Sequence, residues 1–289
     1  MHGNKKSILV TGCNGQLGKE IQKLAVLFPT FNFLFASKET LPIEDLSAIK
    51  EYFKKTQIDF CVNCAAYTAV DKAETEKDMA FLINGTGAGN LSSVCKDHHT
   101  KFIHISTDYV FNGLSEIPYK EDFKIGPQNV YGASKLRGEE LVLNNLPSSI
   151  IIRTSWVFSS FGNNFMKTML RLMNERESIN VVNDQFGSPT YAADLADVIL
   201  NIIDNNNEIE GIFNYCNSGI TTWFEFASFI KKYTKNNCQV HPITTFQFPT
   251  PAARPKYSSL NTSKIEQSLK IKIPSWQNAS ERCLSILSN

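Results

Sequence analysis

Short apolar runs alternate with longer amphipathic stretches through the first half of the chain. An apolar run over 7–11 is followed by a helical pattern over 19–27, and a run over 31–36 by one over 46–55. The pairing continues with a run over 59–64 and a helical pattern over 79–95, then runs at 101–105 and 150–153 around a helical pattern over 130–145. Nearly continuous apolar strands separated by helices predict parallel strands buried on both faces of one sheet. Beyond residue 153 the alternation loosens. Helical patterns over 166–174, 191–204 and 223–233 alternate with strands over 179–183 and 212–216, and a polar turn falls at 204–207.

Between the first strand and the first helix stand Gly12, Gly15 and Gly18, within Thr-Gly-Cys-Asn-Gly-Gln-Leu-Gly. Glycines at such a turn let the backbone approach a pyrophosphate, which the helix N–H groups and dipole then hold. Gly12, Asn14, Gly15, Gln16, Leu17 and Gly18 are therefore candidate dinucleotide ligands. The fold expected is α/β, a Rossmann-type doubly wound parallel sheet (1–152 and 186–216) with a smaller C-terminal substrate-binding α/β region (153–185 and 217–289).

The second strand ends at Ser37-Lys38-Glu39. An acid at this place takes the ribose 2′-hydroxyl of NAD, whereas a hydroxyl and a base suit a 2′-phosphate. With Ser37 and Lys38 first, NADPH is the expected cofactor and NADH the alternative. The third strand ends in Asn63-Cys-Ala-Ala-Tyr-Thr68. Small residues at a strand end let a cofactor ring lie on the backbone, so Cys64, Ala65, Ala66 and Tyr67 join the cofactor set, with Asn84 from the following helix. Thr68, Val70 and Asp71 begin the substrate wall, and Asp71 equally suits a helix N-cap. Asn84 equally suits bonding to neighbouring backbone.

Tyr131 and Lys135 are four residues apart and, on a helix, share one face. A phenol titrates near pH ~10 in isolation, and a fixed ammonium beside it stabilises the phenolate. Ser106 and Thr107 end the fourth strand, where open α/β sheets place ligands. Hydroxyl, phenol and ammonium together suit protonation of a carbonyl oxygen. The long loop 112–129 is expected over this pocket. The proline-punctuated stretch 248–257 presents Arg254, a guanidinium suited to phosphate.

Composition narrows the class further. A chain of 289 residues with 42% hydrophobic content can bury a large core, and 29 basic against 28 acidic residues give no sign of nucleic-acid or membrane-surface binding. No run is long or apolar enough to span a bilayer, and the Met-His-Gly-Asn-Lys-Lys start lacks the apolar core of a signal peptide. Seven cysteines are scattered, and the Cys61/Cys64 spacing lies in an apolar run, as buried thiols do. No ligand cluster predicts an active-site metal. The chain reads as a cytoplasmic enzyme.

These segments together resemble the extended short-chain dehydrogenase/reductase family over nearly the whole chain. The glycine loop (11–18) and Val-Tyr-Gly-x-x-Lys (130–135) are common to that family. The segments at 63–74, 106–111, 184–190 and 254–262 are similar to a branch that reduces nucleotide-linked 4-keto sugars. The resemblance implies a catalytic set of Thr107, Tyr131 and Lys135. It also implies a substrate wall of Val70, Tyr109, Trp156 and Asn164; Asp108, next to Thr107, is a further substrate-side candidate. The reaction it implies is reduction of the C4 ketone of dTDP-4-dehydro-6-deoxy-L-mannose, with hydride from the nicotinamide and a proton from Tyr131. Lys135 would lower the tyrosine pKa and hold the nicotinamide ribose, while Thr107 polarises the carbonyl. Another nucleotide-linked 4-keto sugar is an alternative. So is a non-catalytic regulatory subunit of the kind represented by methionine adenosyltransferase β. A homodimer is the expected assembly. Pro42, where many members carry Asp, and Ser37, where some carry an acid, depart from the family pattern.

Overall fold

The computed structural model describes residues 5–205 and 208–288. Part of the turn expected over 204–207 and most of the Met-His-Gly-Asn-Lys-Lys start lie outside the described residues. In chain order, the first half comprises β1 (Lys6–Thr11), α1 (Gln16–Leu24), β2 (Phe31–Ala36), α2 (Leu46–Lys55), β3 (Phe60–Asn63), α3 (Val70–Ala73), α4 (Lys77–Phe81), α5 (Ala88–Asp97), β4 (Lys101–Thr107), α6 (Val130–Asn145) and β5 (Ile150–Thr154). The second half comprises β6 (Val157–Phe158), α7 (Phe165–Glu175), β7 (Ser178–Val182), β8 (Phe186–Gly187), β9 (Thr190–Tyr191), α8 (Ala192–Asp204) and β10 (Gly211–Asn214). It ends with β11 (Thr221–Thr222), α9 (Trp223–Thr234), β12 (Gln239–Ile243), α10 (Ser263–Leu269) and α11 (Trp276–Leu287).

Six strands form one parallel sheet in the order β10-β5-β4-β3-β1-β2. Every residue of β3 and β5 is buried; their apolar runs, 60–62 and 150–152, end in the buried polar residues Asn63 and Arg153-Thr154. Alternate side chains of β1 separate two cores. Ile8 and Val10 pack with α1 and α8, while Leu9 packs with residues of α2 and α5. This is the doubly wound arrangement that the alternation predicts. A third cluster joins α7, α9 and α11 through Met166, Met169, Phe226, Ile230 and Trp276. Among the described residues no helix is long and apolar enough to cross a membrane.

Two local expectations are revised. The helix expected over 79–95 is broken by a π-helical turn over Leu82–Gly87, between α4 and α5. Gly138 of α6 comes so near that a Cβ there would sit 2.2 Å from the Asn84 carbonyl oxygen. A π-bulge widens the helix at such a contact. The loop 112–129 is pinned away from the pocket. Phe111 and Tyr119 stack at 4.4 Å, and bridges join Phe111 to Ile125 and Tyr119 to Leu260. No loop residue lines the cleft described next.

Candidate active site

A cleft of about 480 Å³ opens at the carboxyl ends of the sheet strands. Its floor is the turn from β1 to α1. Gly12 has φ +65°, and a Cβ there would lie 2.5 Å from the Ala65 nitrogen. A Cβ on Gly18 would lie 2.6 Å from the Cys13 Cα, so only glycine lets the turn close. Gly15 is the N-cap of α1, with no side chain bonded over the helix N-terminus. Asn14, Gln16 and Leu17 also line the cleft. This is a cradle shaped for a pyrophosphate.

Ser37 and Lys38 form one wall with Leu41 and Ile43. The Ser37 hydroxyl donates to Glu39 Oε2 at 2.5 Å, and that bond holds the Glu39 carboxyl below its usual range. Cys64, Ala65 and Ala66 form the opposite wall, with Thr68 beyond them. Buried Asn63 fixes their position. Its Oδ1 accepts from Thr11 Oγ1 at 2.7 Å and from the Ala65 N–H at 3.1 Å, while its Nδ2 meets His104 Nδ1 at 3.0 Å. Burial drives the His104 pKa well below its ordinary value, so the ring is neutral.

Tyr67 and Asn84, both placed in the cofactor set from sequence, do not line the cleft. The Tyr67 hydroxyl donates to Glu76, and its backbone N–H and carbonyl are both held by the Asn84 amide, at 2.8 and 3.0 Å. Asn84 also donates to Ser134 Oγ at 2.9 Å, tying the Tyr67 strand end to α6. The π-turn delivers Asn84 to this contact.

The catalytic candidates meet where α6 begins. Asn129 caps the helix by accepting from the Gly132 N–H at 2.8 Å, and its amide donates to the Ala253 carbonyl at 2.8 Å. Tyr131, Lys135 and Glu139 then succeed one another at four-residue intervals on one face. Tyr131 and Lys135 line the cleft. The Lys135 ammonium is 2% exposed and donates to the Ile105 carbonyl at 2.5 Å. Burial lowers its pKa to about 8, against the opposing pull of the Glu139 carboxylate.

Burial raises the Tyr131 phenol to about 12, opposed by its hydrogen bond with the Thr107 hydroxyl and reinforced by the charge of Asp108. The expectation that Lys135 lowers this pKa is therefore overturned. The ammonium is not among the groups that shift the phenol; it is engaged with the Ile105 carbonyl. Thr107 donates to Asp108 Oδ1 at 3.0 Å and accepts from the Tyr109 N–H at 3.2 Å. Asp108 is 3% exposed, and burial raises its carboxyl to about 7. The Tyr109 ring meets Tyr131 edge-to-face at 5.8 Å.

The remaining substrate candidates lie outside the cleft lining. Val70 opens α3. Ala69, not Asp71, is that helix's N-cap, and it makes no side-chain cap. Asp71 instead takes both Arg254 nitrogens at 2.8 Å and the Ala252 N–H at 3.2 Å. The guanidinium fork expected for a phosphate is thus paired with a carboxylate. Asn164 caps α7 and donates to Gln16 Oε1 at 2.9 Å, joining that loop to the glycine turn. Trp156 has φ +47° and stacks on Trp223.

Sequence reading missed Glu139 and the role of Arg153. Glu139 accepts from Arg153 Nε at 2.9 Å, Arg153 Nη2 at 2.7 Å and Ser106 Oγ at 2.5 Å, all buried. The four-residue row from Tyr131 through Lys135 points straight at it.

A doubly wound sheet, a glycine cradle under a helix N-terminus and a Tyr131–Lys135 pair facing the same cleft define a dinucleotide-dependent oxidoreductase of the short-chain dehydrogenase/reductase type. Residues 6–289 match the family model described as the RmlD substrate binding domain, and the chain belongs to that family. A dTDP-4-dehydrorhamnose reductase of Salmonella typhimurium is 37% identical over 292 residues, covering 96% of this chain and 97% of its own. The dTDP-4-dehydrorhamnose reductase of Escherichia coli K12 is 38% identical, covering 97% of this chain and 98% of its own. The crystal structure of dTDP-4-dehydrorhamnose reductase from Bacillus anthracis in complex with NADP matches with a TM-score of 0.94 at 39% identity, covering 98% of this chain and all of that one.

Proposed function

We propose that this protein reduces the C4 ketone of dTDP-4-dehydro-6-deoxy-L-mannose to give dTDP-L-rhamnose, using NADPH, in cytoplasmic nucleotide-sugar synthesis for surface polysaccharide. The observation that carries this reading is the convergence of Thr107, Tyr131 and Lys135 beside a glycine cradle, in a chain matching named reductases over nearly its full length. In this reading the dinucleotide rests on the sheet of 1–152 and 186–216, and the sugar nucleotide on 153–185 and 217–289.

The residues fit NADPH. A Cβ on Gly12 or Gly18 would obstruct the turn, while Ser37 and Lys38 suit the 2′-phosphate. Bound NADPH supplies the hydride. Tyr131 supplies the proton to the ketone oxygen. Its pKa of about 12 keeps that proton in place at neutral pH, as an acid requires. Thr107 bonds the phenol and orients it toward the oxygen, and Lys135 is buried beneath the cleft where a ribose would lie. Tyr109, Val70, Asp108, Trp156 and Asn164 bound the sugar side. Release of Arg254 from Asp71 would free its fork for the diphosphate.

General acid catalysis contributes about 10²–10⁴-fold, so Tyr131→Phe should lose at least ~100-fold in turnover while still binding NADPH. The assay is ketone-dependent loss of nicotinamide absorbance. Near-full turnover from folded Tyr131→Phe would remove the acid assignment, and faster reduction of another nucleotide-linked 4-keto sugar would change the substrate. The reading includes a homodimer, which sedimentation would check.

A further inference from the structure

Trp156 occupies the turn between β5 and β6, flanked by Thr154 and Val157, which line the cleft. Its left-handed backbone, φ +47°, is disfavoured for a bulky side chain and persists only where the surroundings over-determine it. Three separate segments do so here. The Trp156 indole lies flat on the Trp223 indole, with ring centroids 3.5 Å apart and planes 8° from parallel. It also lies against the backbone of Gly187, where a Cβ would stand 2.5 Å from its Cε2. Its carbonyl accepts from the Thr190 N–H at 3.2 Å.

Trp223 is itself fixed. Its Nε1 donates to Gln185 Oε1 at 3.2 Å, and Phe165 tilts against its ring at 4.6 Å. Gln185 is 5% exposed, and its amide donates to Thr245 Oγ1 at 3.0 Å. Thr245 in turn donates to Asp184 Oδ1 at 2.6 Å. The first residue of α9 is thereby held at a defined angle beneath the cleft-flanking indole.

We infer that Trp223 is a positioning residue for sugar specificity: braced by Gln185, it sets the plane of Trp156 and so the shape of the wall the sugar ring meets. This rests on the reading of Trp156 as a substrate contact. Two indoles in direct face-to-face contact cannot tilt against each other without clashing, so a ring beneath Trp156 restricts its tilt in a way an aliphatic side chain does not. Because displacement of a positioning group by about 1 Å can cost ~100-fold, loss of the stack should act on kcat/KM for the sugar nucleotide. It should leave NADPH affinity untouched, since neither Trp223 nor Gln185 lines the dinucleotide cleft.

The test compares Trp223→Leu, Trp223→Phe, Gln185→Leu and Trp156→Leu. A closely stacked indole pair gives an exciton couplet in the far-ultraviolet circular dichroism, which reports the stack directly. Trp223→Leu should abolish the couplet and lower kcat/KM for the sugar nucleotide roughly 10- to 100-fold, with the Kd for NADPH unchanged. Trp223→Phe, which keeps a stackable ring, should restore most of that loss. Should Trp223→Leu fail to fold, Gln185→Leu and Trp223→Phe still remove the Nε1 anchor and should each raise KM modestly.

A lost couplet with unchanged kcat/KM, while Trp156→Leu is impaired, would overturn the inference and leave Trp156 in the wall. Unchanged kcat/KM in both Trp223→Leu and Trp156→Leu would instead remove Trp156 from the substrate reading itself. A parallel rise in the Kd for NADPH would mark a general structural defect and also overturn the assignment.

Discussion

Glu139→Gln should damage stability and the pH profile together. Glu139 and Arg153 are each 2% exposed and are joined by two hydrogen bonds, of 2.9 and 2.7 Å. Arg153 also donates to the Glu121 carbonyl at 3.0 Å and lies 5.0 Å over the Phe111 ring. Glutamine keeps the volume but removes the charge and turns an amide N–H₂ toward a guanidinium. Breaking one side of a buried ion pair costs about 3–5 kcal/mol because the other charge stays desolvated. For a chain of this length that corresponds to a fall in Tm on the order of 10 °C.

The second consequence runs through Lys135, whose pKa of about 8 Glu139 holds up against burial. The folded pKa is depressed from an ordinary 10.5, so burial penalises the ammonium. That penalty is complete below about 8 and is relieved as pH rises toward 10.5, so this group's contribution to stability improves over that window. Activity should do the opposite, with kcat/KM falling as the ammonium is lost above about 8. Removing the Glu139 charge should move that alkaline limb to lower pH. Urea unfolding and kcat/KM profiles of both proteins test the two effects separately. A stability loss under about 1 kcal/mol would refute the buried-pair argument, and an unmoved limb would refute the electrostatic one.

Two further outcomes are expected. Burial holds Asp108 near pKa 7, above its ordinary 3.8, so the fold favours the protonated acid; this contribution is complete below about 3.8 and is lost as pH rises from there through about 7. Asp108→Asn should therefore gain most denaturant resistance at pH ~8, a smaller part of it at pH ~5 and almost none at pH ~3; equal gains at pH ~8 and pH ~3 would sink the assignment. Lys38→Ala should weaken NADPH binding roughly tenfold, the scale of one charge-assisted hydrogen bond, and leave NADH binding unchanged. Equal loss for both dinucleotides, read by fluorescence titration, would place Lys38 away from the 2′-phosphate.

What could be read from the chain alone depended on how local its physical cause was. The strands of the sheet were legible because burial on both faces demands apolar runs such as the three isoleucines at 150–152. The glycine turn was legible because Gly12 takes a left-handed φ of +65° and Gly18 packs on Cys13 of the same turn, although Gly12 also answers to distant Ala65. Asp71 shows the opposite case. Its neighbours suit an N-cap, yet a guanidinium 183 residues away claims both its oxygens.

The π-turn Leu82–Gly87 packs closely against Gly138 of another helix, and no helical periodicity encodes that approach. Strand β12 and helices α10 and α11 were likewise unanticipated. Among the described residues the strand pairs only with β7 and includes Pro242, and the helices carry short patterns whose partners lie far off in sequence, α10 in the first core through Ile265 and α11 in the third through Trp276. Even the Tyr131 pKa follows this division. Its spacing from Lys135 was local and plain, but burial and the Thr107–Asp108 strand end set the titration. The motif therefore marks the candidate acid, and burial in the surrounding fold keeps its proton in place at neutral pH.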